Sequence, residues 1–581
     1  MIKIKAETQN MRLKDNTKYW VACIVMILAA MVQCYRTIHD LHWGGEPDFD
    51  RDIAYIRTTL SGHYGQDANY AGEYMWYNPL LFLSETLIVK LTGLPINIAV
   101  IRAGAFLNVL GPVFFFLMVA KLFDYKAALA ALLSFLFLAA GNLPCWGGAT
   151  YSPWLISDSF VQFLFYINII LCYQACSTQQ MRWFILLGAS IGITFLGHSA
   201  PAILIILIMV VLQLQNVFSA IRQKEYKAIT RYVLQGVVTV IPFILCAFPF
   251  LYFVWGKYGF HFVNRAILEC APGIFARKEW ARLVEANISF SLLIALIGLI
   301  WFYLKYDNKL IRRIVFSWLV ITAFMYVYES LVPTLDRLGN IHLPDTIPAF
   351  HYFFYLKVLQ SVFFAFGFIF ILQQASVWLT KVTKKEIYFT HSAGLFVGAV
   401  LLYAACYYPI YVHRADFMEA RKDAIAKGSE TDKIEIYNFI SKNVPLNKVL
   451  LCEHDLSLFP VMPTAIKMVS VETFFSNPYV SYDKREADRN TMLNYLTTNQ
   501  PGDAAKLFND YGVSLVLLTK KDYAKYKTPR FATDKLLFKN DSFTLISLEL
   551  KKDSLMRNKR MAFTPGKPRN NDYFYFFLNG L

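Results

Sequence analysis

The sequence predicts a mainly α fold: a polytopic transmembrane helical bundle with interfacial helices, followed by a small C-terminal α/β domain outside the cytoplasm. Three observations carry that expectation. Of 581 residues, 56% are hydrophobic and only 17% charged, with a mean hydropathy of +0.39. Apolar runs recur from Tyr19 to Val412, many of them long enough to cross the ~30 Å hydrocarbon core of a bilayer. After Arg414 the composition becomes that of a soluble domain.

The candidate spans are 19–38, 98–120, 127–141, 158–176, 183–197, 200–218, 232–255, 288–304, 314–331, 352–372 and 388–412. That makes about eleven, with ends placed to within about four residues. The runs are continuous rather than alternating, which excludes a β-barrel. The net charge of +16 would suggest nucleic acid in a soluble chain, but much of the Lys and Arg lies in short loops between spans. That is a topology signal, so no nucleic-acid partner is expected. The nine Cys are scattered without a C-x-x-C pair, so no disulfide framework is expected. The polar residues 1–18 read as a cytosolic tail, and the first span as an uncleaved signal anchor.

Pro79–Leu91 is shorter than a span and carries Glu85 and Lys90, so it reads as an interfacial helix. This choice puts the basic loops Lys121–Lys126, Arg222–Lys227 with Arg231, Lys305–Arg313 and Lys381–Lys385 on the cytosolic side, as the positive-inside rule requires. It also puts Glu46–Asp52, Asn142–Ser157, His198, the loops 256–287 and 332–351 and the C-terminal region on the exterior. The expected organisation is a membrane module over 19–413, with a first exterior loop over 39–97, and an exterior domain over 414–581. In that domain, Ala415–Lys427 and Thr431–Asn443 have the apolar spacing of helices. Lys448–Cys452, Val513–Leu518 and Ser542–Leu548 read as strands around a helix-rich stretch, Tyr482–Tyr511, which argues for a small α/β sheet. The basic tail Lys551–Asn571 reads as mobile.

The most informative stretch follows the first span: Trp43-Gly-Gly-Glu46-Pro-Asp48-Phe-Asp50-Arg51-Asp52. Acids concentrated at a membrane boundary point to function rather than packing, against the plainer reading of a helix N-terminal cap. Asp158 opens an otherwise apolar span, where it serves either as a cap beside Ser157 or as a second functional acid. Outward-facing cations are Arg102, His198, His351 and Lys357. Lys357 lies more than a turn inside a span, where an unpaired charge is costly. Trp43, Tyr74, Trp76, Tyr77, Tyr151 and Trp154 are boundary aromatics suited to stacking on a sugar, although Trp and Tyr favour such positions in any case.

Three stretches resemble the GT-C superfamily of glycosyltransferases, polytopic enzymes that use polyprenyl-phosphate sugars and include the lipid A aminoarabinose transferases and protein O-mannosyltransferases. Asp48-Phe-Asp50-Arg51-Asp52-Ile-Ala-Tyr55, with Tyr77-Asn-Pro79-Leu80, Gly93 and Arg102, is similar to the family's first exterior loop. Pro153-Trp-Leu-Ile-Ser-Asp158 is similar to the Asp that begins a later span. Pro348-Ala-Phe-His351, running on to Lys357, resembles a donor-phosphate motif, with His where Arg is usual.

The resemblance implies a plasma-membrane glycosyltransferase that takes a sugar from a polyprenyl-phosphate donor to a glycan, lipid or protein acceptor outside the cytoplasm. Such transfer needs a base for the incoming hydroxyl and positive charge for the departing phosphate. By register against the family pattern Asp48 is the expected base, within a catalytic set of Asp48, Asp50 and Asp158. Arg102, His198, His351, Lys357, Tyr77 and Trp43 are the expected substrate-binding residues. No cofactor is required by the sequence; a divalent cation (Mg²⁺, Mn²⁺ or Ca²⁺), where used, would sit on Asp48 and Asp158. No His-x-x-x-His or Cys cluster suggests zinc. Two other classes share the composition. A transporter or flippase of a lipid-linked saccharide would carry charge near mid-membrane, which these spans nearly lack. A lipid-linked glycan polymerase or ligase would rely on a large Arg- and His-rich loop, a role open to 256–287.

Overall fold

A computed structural model of the chain describes residues 2–138, 151–264, 289–339, 347–348, 350–498 and 504–551. The predicted fold class is what the structure shows: apolar helices, then a small α/β region. Among the described residues, eight helices are long and apolar enough to cross a membrane: Asn16–Ile38, Ile96–Leu122, Ser157–Thr178, Ser199–Arg222, Tyr226–Lys257, Lys309–Glu329, Phe350–Thr383 and Ala393–Gly428. Shorter apolar helices occupy Tyr125–Leu138, Met181–Gly197 and Phe290–Lys305. Together they fall where the eleven apolar runs were expected, with 96–122 accounting for the second. The mobile-tail expectation beyond Lys551, and the parts of the expected exterior loops at 142–150, 265–287, 340–346 and 349, lie outside the described residues.

The chain divides into two compact units: Met1–Asp40, Arg102–Ala247 and Ala271–Glu419 in one, and Leu41–Ile101, Phe248–Cys270 and Ala420–Leu581 in the other. In the first unit the helices pack through small residues. A Cβ placed on Gly298 would run into the Phe363 carbonyl oxygen, and one on Gly367 into that of Ile294. These two glycines let the Phe290–Lys305 and Phe350–Thr383 helices approach backbone to backbone, the device membrane helices use where burial alone gives no driving force. Gly367→Leu is therefore expected to lower stability by about 1–3 kcal/mol through overpacking, measured as a fall in the melting temperature of the detergent-solubilised protein.

In the second unit the first loop folds as two helices. Pro47 starts the Pro47–Leu60 helix at a position where its missing N–H is harmless, and Asp48 and Asp50 sit in the favourable first turn. The Leu80–Thr92 helix stops at Gly93, whose φ of 68° is left-handed. It is not among the candidate spans, and its Glu85 faces inward, 0% exposed.

The same unit holds a five-stranded sheet in the order β2-β1-β3-β5-β4. Its strands are β1 (Val449–Cys452), β2 (Lys467–Met468), β3 (Val513–Thr519), β4 (Ala532–Lys539) and β5 (Phe543–Leu550). β1 is parallel to β2 and β3, whereas β5 runs antiparallel to β3 and β4. Parallel pairing needs a crossover, and between β2 and β3 the helices Tyr482–Thr498 and Ala504–Asp510 supply it. Met492, Leu496 and Phe508 from those helices pack on Leu451, Val516, Leu518 and Ile546. β2 and β4 were not expected. Two residues make no sequence pattern, and β4 is an edge strand with mostly exposed side chains.

The loop and the sheet region share buried polar contacts. Asp67 accepts from Asn477 Nδ2 at 2.8 Å, and Lys467 Nζ donates to the Asp67 and Ala68 carbonyls at 2.6 and 3.0 Å. Burial lowers the Lys467 ammonium pKa to about 8, with Asp67 opposing the shift.

Candidate functional site

In the membrane unit, three helix starts meet. Asp158 is the second residue of the Ser157–Thr178 helix, His198 caps the Ser199–Arg222 helix, and His351 is the second residue of the Phe350–Thr383 helix. The Asp158 carboxylate lies between the imidazoles, with Oδ1 2.8 Å from His198 Nε2 and Oδ2 2.6 Å from His351 Nδ1. The side chains are 11–15% exposed. Asp158 is not the helix cap. That position is Ile156, whose N–H donates to the Ser159 hydroxyl at 3.3 Å, and the hydroxyl in turn lies 3.0 Å from the Trp154 and Ile156 carbonyl oxygens, either of which can accept its one hydrogen. A cleft beside the acid is lined by Ser152, Ile156, Ser159, Phe350, His351 and Phe354.

The hydrogen-bond network assigns the protons. His198 Nδ1 accepts the Ala200 N–H at 3.2 Å, so its neutral ring carries the proton on Nε2 and donates it to Asp158. His351 donates from Nδ1, and Nε2 is the nitrogen that Asp158 does not use. Each helix start carries a partial positive charge of about half a unit. Three of them and two imidazole donors surround one anion, the Asp158 carboxylate itself.

The same residues are, among the described residues, the one group of three or more metal-capable side chains, with ligand atoms within 4.8 Å of one another. Nitrogen and oxygen donors suit zinc or manganese. The fit is incomplete, because a cation on His198 Nε2 would need the lone pair where the network puts a proton. The arrangement as folded is a hydrogen-bonded one.

The same unit holds Lys357 and Arg102. Lys357 is 2% exposed, with Nζ 5.6 Å from the centre of the Phe353 ring. Arg102 lies partly buried on the Ile96–Leu107 helix.

In the other unit, the acids of the first loop have distinct environments. Asp50 is 1% exposed, and both its oxygens take Lys427 Nζ, at 2.7 and 2.6 Å. Burial nevertheless raises the Asp50 pKa above the ordinary carboxylate value, with Lys427 opposing it. Asp52 is fully buried beside Arg51. Asp48 has the most accessible side chain of the three, 24% exposed against 2% for Asp50 and 1% for Asp52, and it pairs with Arg51 at 2.6 Å. Tyr77 lies under the Arg51 guanidinium. Trp43 is 4% exposed, edge-on to Tyr437 and Phe459 at 4.8 and 4.9 Å, so here it is a packing residue. Sequence reasoning missed Lys427, Arg51 and the inward-facing Glu85. Arg51 carried a readable signal, since an Arg three residues after an acid on a helix shares its face.

Lys427→Met is expected to cost about 3–5 kcal/mol by leaving Asp50 buried and unpaired. Because the folded-state pKa of Asp50 lies above its unfolded value, its contribution is most favourable at low pH and declines as pH rises through the folded value. The variant should therefore lose stability more steeply with rising pH than the parent, and Asp50→Asn in the same chain should restore it. Thermal unfolding across pH checks this.

No family model matches the sequence, and no curated protein does. Solved structures share the fold. ArnT from Cupriavidus metallidurans, bound to undecaprenyl phosphate, matches with a TM-score of 0.53 at 13% identity, over 91% of this chain and 98% of that one. The Archaeoglobus fulgidus oligosaccharyltransferase, tethered to an acceptor peptide containing the NVT sequon, matches with a TM-score of 0.53 at 11% identity, over 86% and 69%. Its complex with an inhibitory peptide and a dolichol-phosphate matches at 0.50 and 12% identity, over 86% and 69%. This chain has the fold of these proteins.

Proposed function

We propose that this protein is a multi-pass plasma-membrane glycosyltransferase that moves a sugar from a polyprenyl-phosphate donor to an acceptor hydroxyl outside the cytoplasm. The observation that carries the reading is the meeting of three helix starts at His198, Asp158 and His351, in a chain with the fold of enzymes seen with undecaprenyl phosphate and dolichol-phosphate. In this reading His351, protonated on both nitrogens and oriented through Nδ1 by Asp158, donates from Nε2 to the donor phosphate and stabilises the charge it gains as it leaves, while His198, with both nitrogens engaged, holds Asp158 in place. Asp48 is the base. The acceptor oxygen bonds to the anomeric carbon as the carbon–oxygen bond to phosphate breaks, the polyprenyl phosphate departs with the electron pair, and the acceptor proton passes to Asp48. Attack opposite the phosphate inverts the anomeric centre. A phosphate needs no protonation to leave, so a single carboxylate suffices.

A divalent cation, if bound, would take Asp158 and His351 and supply further charge for the phosphate; the proton on His198 Nε2 favours a metal-free centre. The N-terminus is cytosolic and the Asp48 loop exterior in this proposal, on the distribution of basic loops. Lipid extracts of a deletion strain test the reading. Accumulation of a polyprenyl-phosphate sugar, reversed by the parent gene and not by an Asp48→Asn allele, is expected. An unchanged lipid pool with loss of uptake of a solute would contradict it.

A further inference from the structure

Beneath Asp48, the Pro47–Leu60 and Leu80–Thr92 helices bury a layer of charge that the transfer step above does not use. Arg51 is 5% exposed. Its Nη1 donates to Asp48 Oδ1 at 2.6 Å, and its Nε and Nη2 donate to Asp52 Oδ1 at 3.2 Å. The guanidinium carbon lies 3.5 Å from the centre of the Tyr77 ring. Behind it, Asp52 and Glu85 are both 0% exposed, and Asp52 Oδ2 and both Glu85 oxygens have no hydrogen-bond partner among the described residues. A buried carboxyl without partners stays protonated. Burial, then the charge of Asp52, accordingly holds the Glu85 pKa well above its ordinary value, with Arg51 opposing. Asp52, nearer the guanidinium, rises only to about 6.

An exposed pair three residues apart on a helix contributes little and wanders among rotamers. This one cannot wander. The guanidinium is stacked on one face, tethered to a second acid and enclosed by a neighbouring helix, so one oxygen of Asp48 is held in place while the other is left to take a proton.

We propose that Arg51 is a positioning residue for transfer: it fixes the orientation of the Asp48 carboxylate, and the buried Asp52–Glu85 pair fixes Arg51 in turn. The inference rests on the reading of Asp48 as the base, and goes beyond it by saying what aims that base.

The test uses the full-length protein in nanodiscs, with the polyprenyl-phosphate sugar fraction extracted from membranes of the deletion strain as donor. Arg51→Met is expected to lower kcat by about 10–100-fold, the scale of a misplaced catalytic group, with donor KM and the Kd for undecaprenyl phosphate unchanged. Arg51→Lys, which restores a cation without the fork, should recover part of the loss. Asp52→Asn should give a smaller loss of the same kind. Most tellingly, Arg51→Met should add nothing in an Asp48→Asn background, because it acts through Asp48. Arg51→Met with parental kcat, or losses that multiply in the double variant, would overturn the proposal. If Arg51→Met does not fold, the Lys and Asp52→Asn variants carry the same cycle. An Asp48→Asn variant with parental turnover would remove the base assignment itself, whereas an inactive Asp48→Asn beside a fully active Arg51→Met would remove only the role of Arg51.

Discussion

Asp48→Asn is expected to lower kcat by about 10²–10⁴-fold, the usual contribution of a general base, with undecaprenyl phosphate bound as tightly as before. The amide keeps the shape of the side chain but cannot take the acceptor proton. Its neighbours serve as controls. Asp50 gives both oxygens to Lys427, so Asp50→Asn should act on stability, leaving the kcat of the folded fraction near parental. Asp52 is enclosed behind Arg51, so it should act on geometry. Steady-state kinetics, with folded protein quantified by gel filtration, separates the three. Equal loss of kcat in Asp48→Asn and Asp50→Asn would mean the loop acts only as a scaffold.

His351→Ala should weaken undecaprenyl phosphate binding by about 10–150-fold, the equivalent of a hydrogen bond to a charged group at about 1.5–3 kcal/mol. Asp158→Asn should produce a similar loss by a different route. An amide cannot accept from both imidazoles through two equivalent oxygens, so at least one ring loses its orientation. Titration calorimetry in nanodiscs reads both. Chelation with EDTA is expected to leave the Kd unchanged, since the backbone N–H of Ala200 occupies His198 Nδ1 and leaves the proton on Nε2. Loss of binding on chelation, restored by zinc or manganese, would show that a cation holds the phosphate instead.

The architecture was legible because a membrane imposes lengths. The apolar runs, the short 80–92 helix closed by Gly93 and the strands at 449–452, 513–519 and 543–550 all follow from local pattern. What local pattern cannot supply is company. His198, His351 and Asp158 were each recognised singly, but 193 residues separate Asp158 from His351, and no spacing rule joins them. The absence of a His-x-x-x-His pair correctly described the sequence and said nothing of the cluster that folding assembles. Trp43 shows the converse. At a membrane boundary it looks available to a sugar, yet Tyr437 and Phe459, from a distant part of the chain, enclose it. Glu85 marked its helix as too polar for a span, but nothing in the local pattern showed that it is buried, 0% exposed, near Asp52.

The most direct test of the account is to follow the donor phosphate itself. Purified protein in nanodiscs, given the polyprenyl-phosphate sugar fraction from the deletion strain and a membrane extract as acceptor source, should release polyprenyl phosphate and form an inverted glycosidic bond. Both should depend on Asp48 and on the Asp158 centre. Intact donor after incubation, together with movement of the unaltered lipid between leaflets, would contradict it.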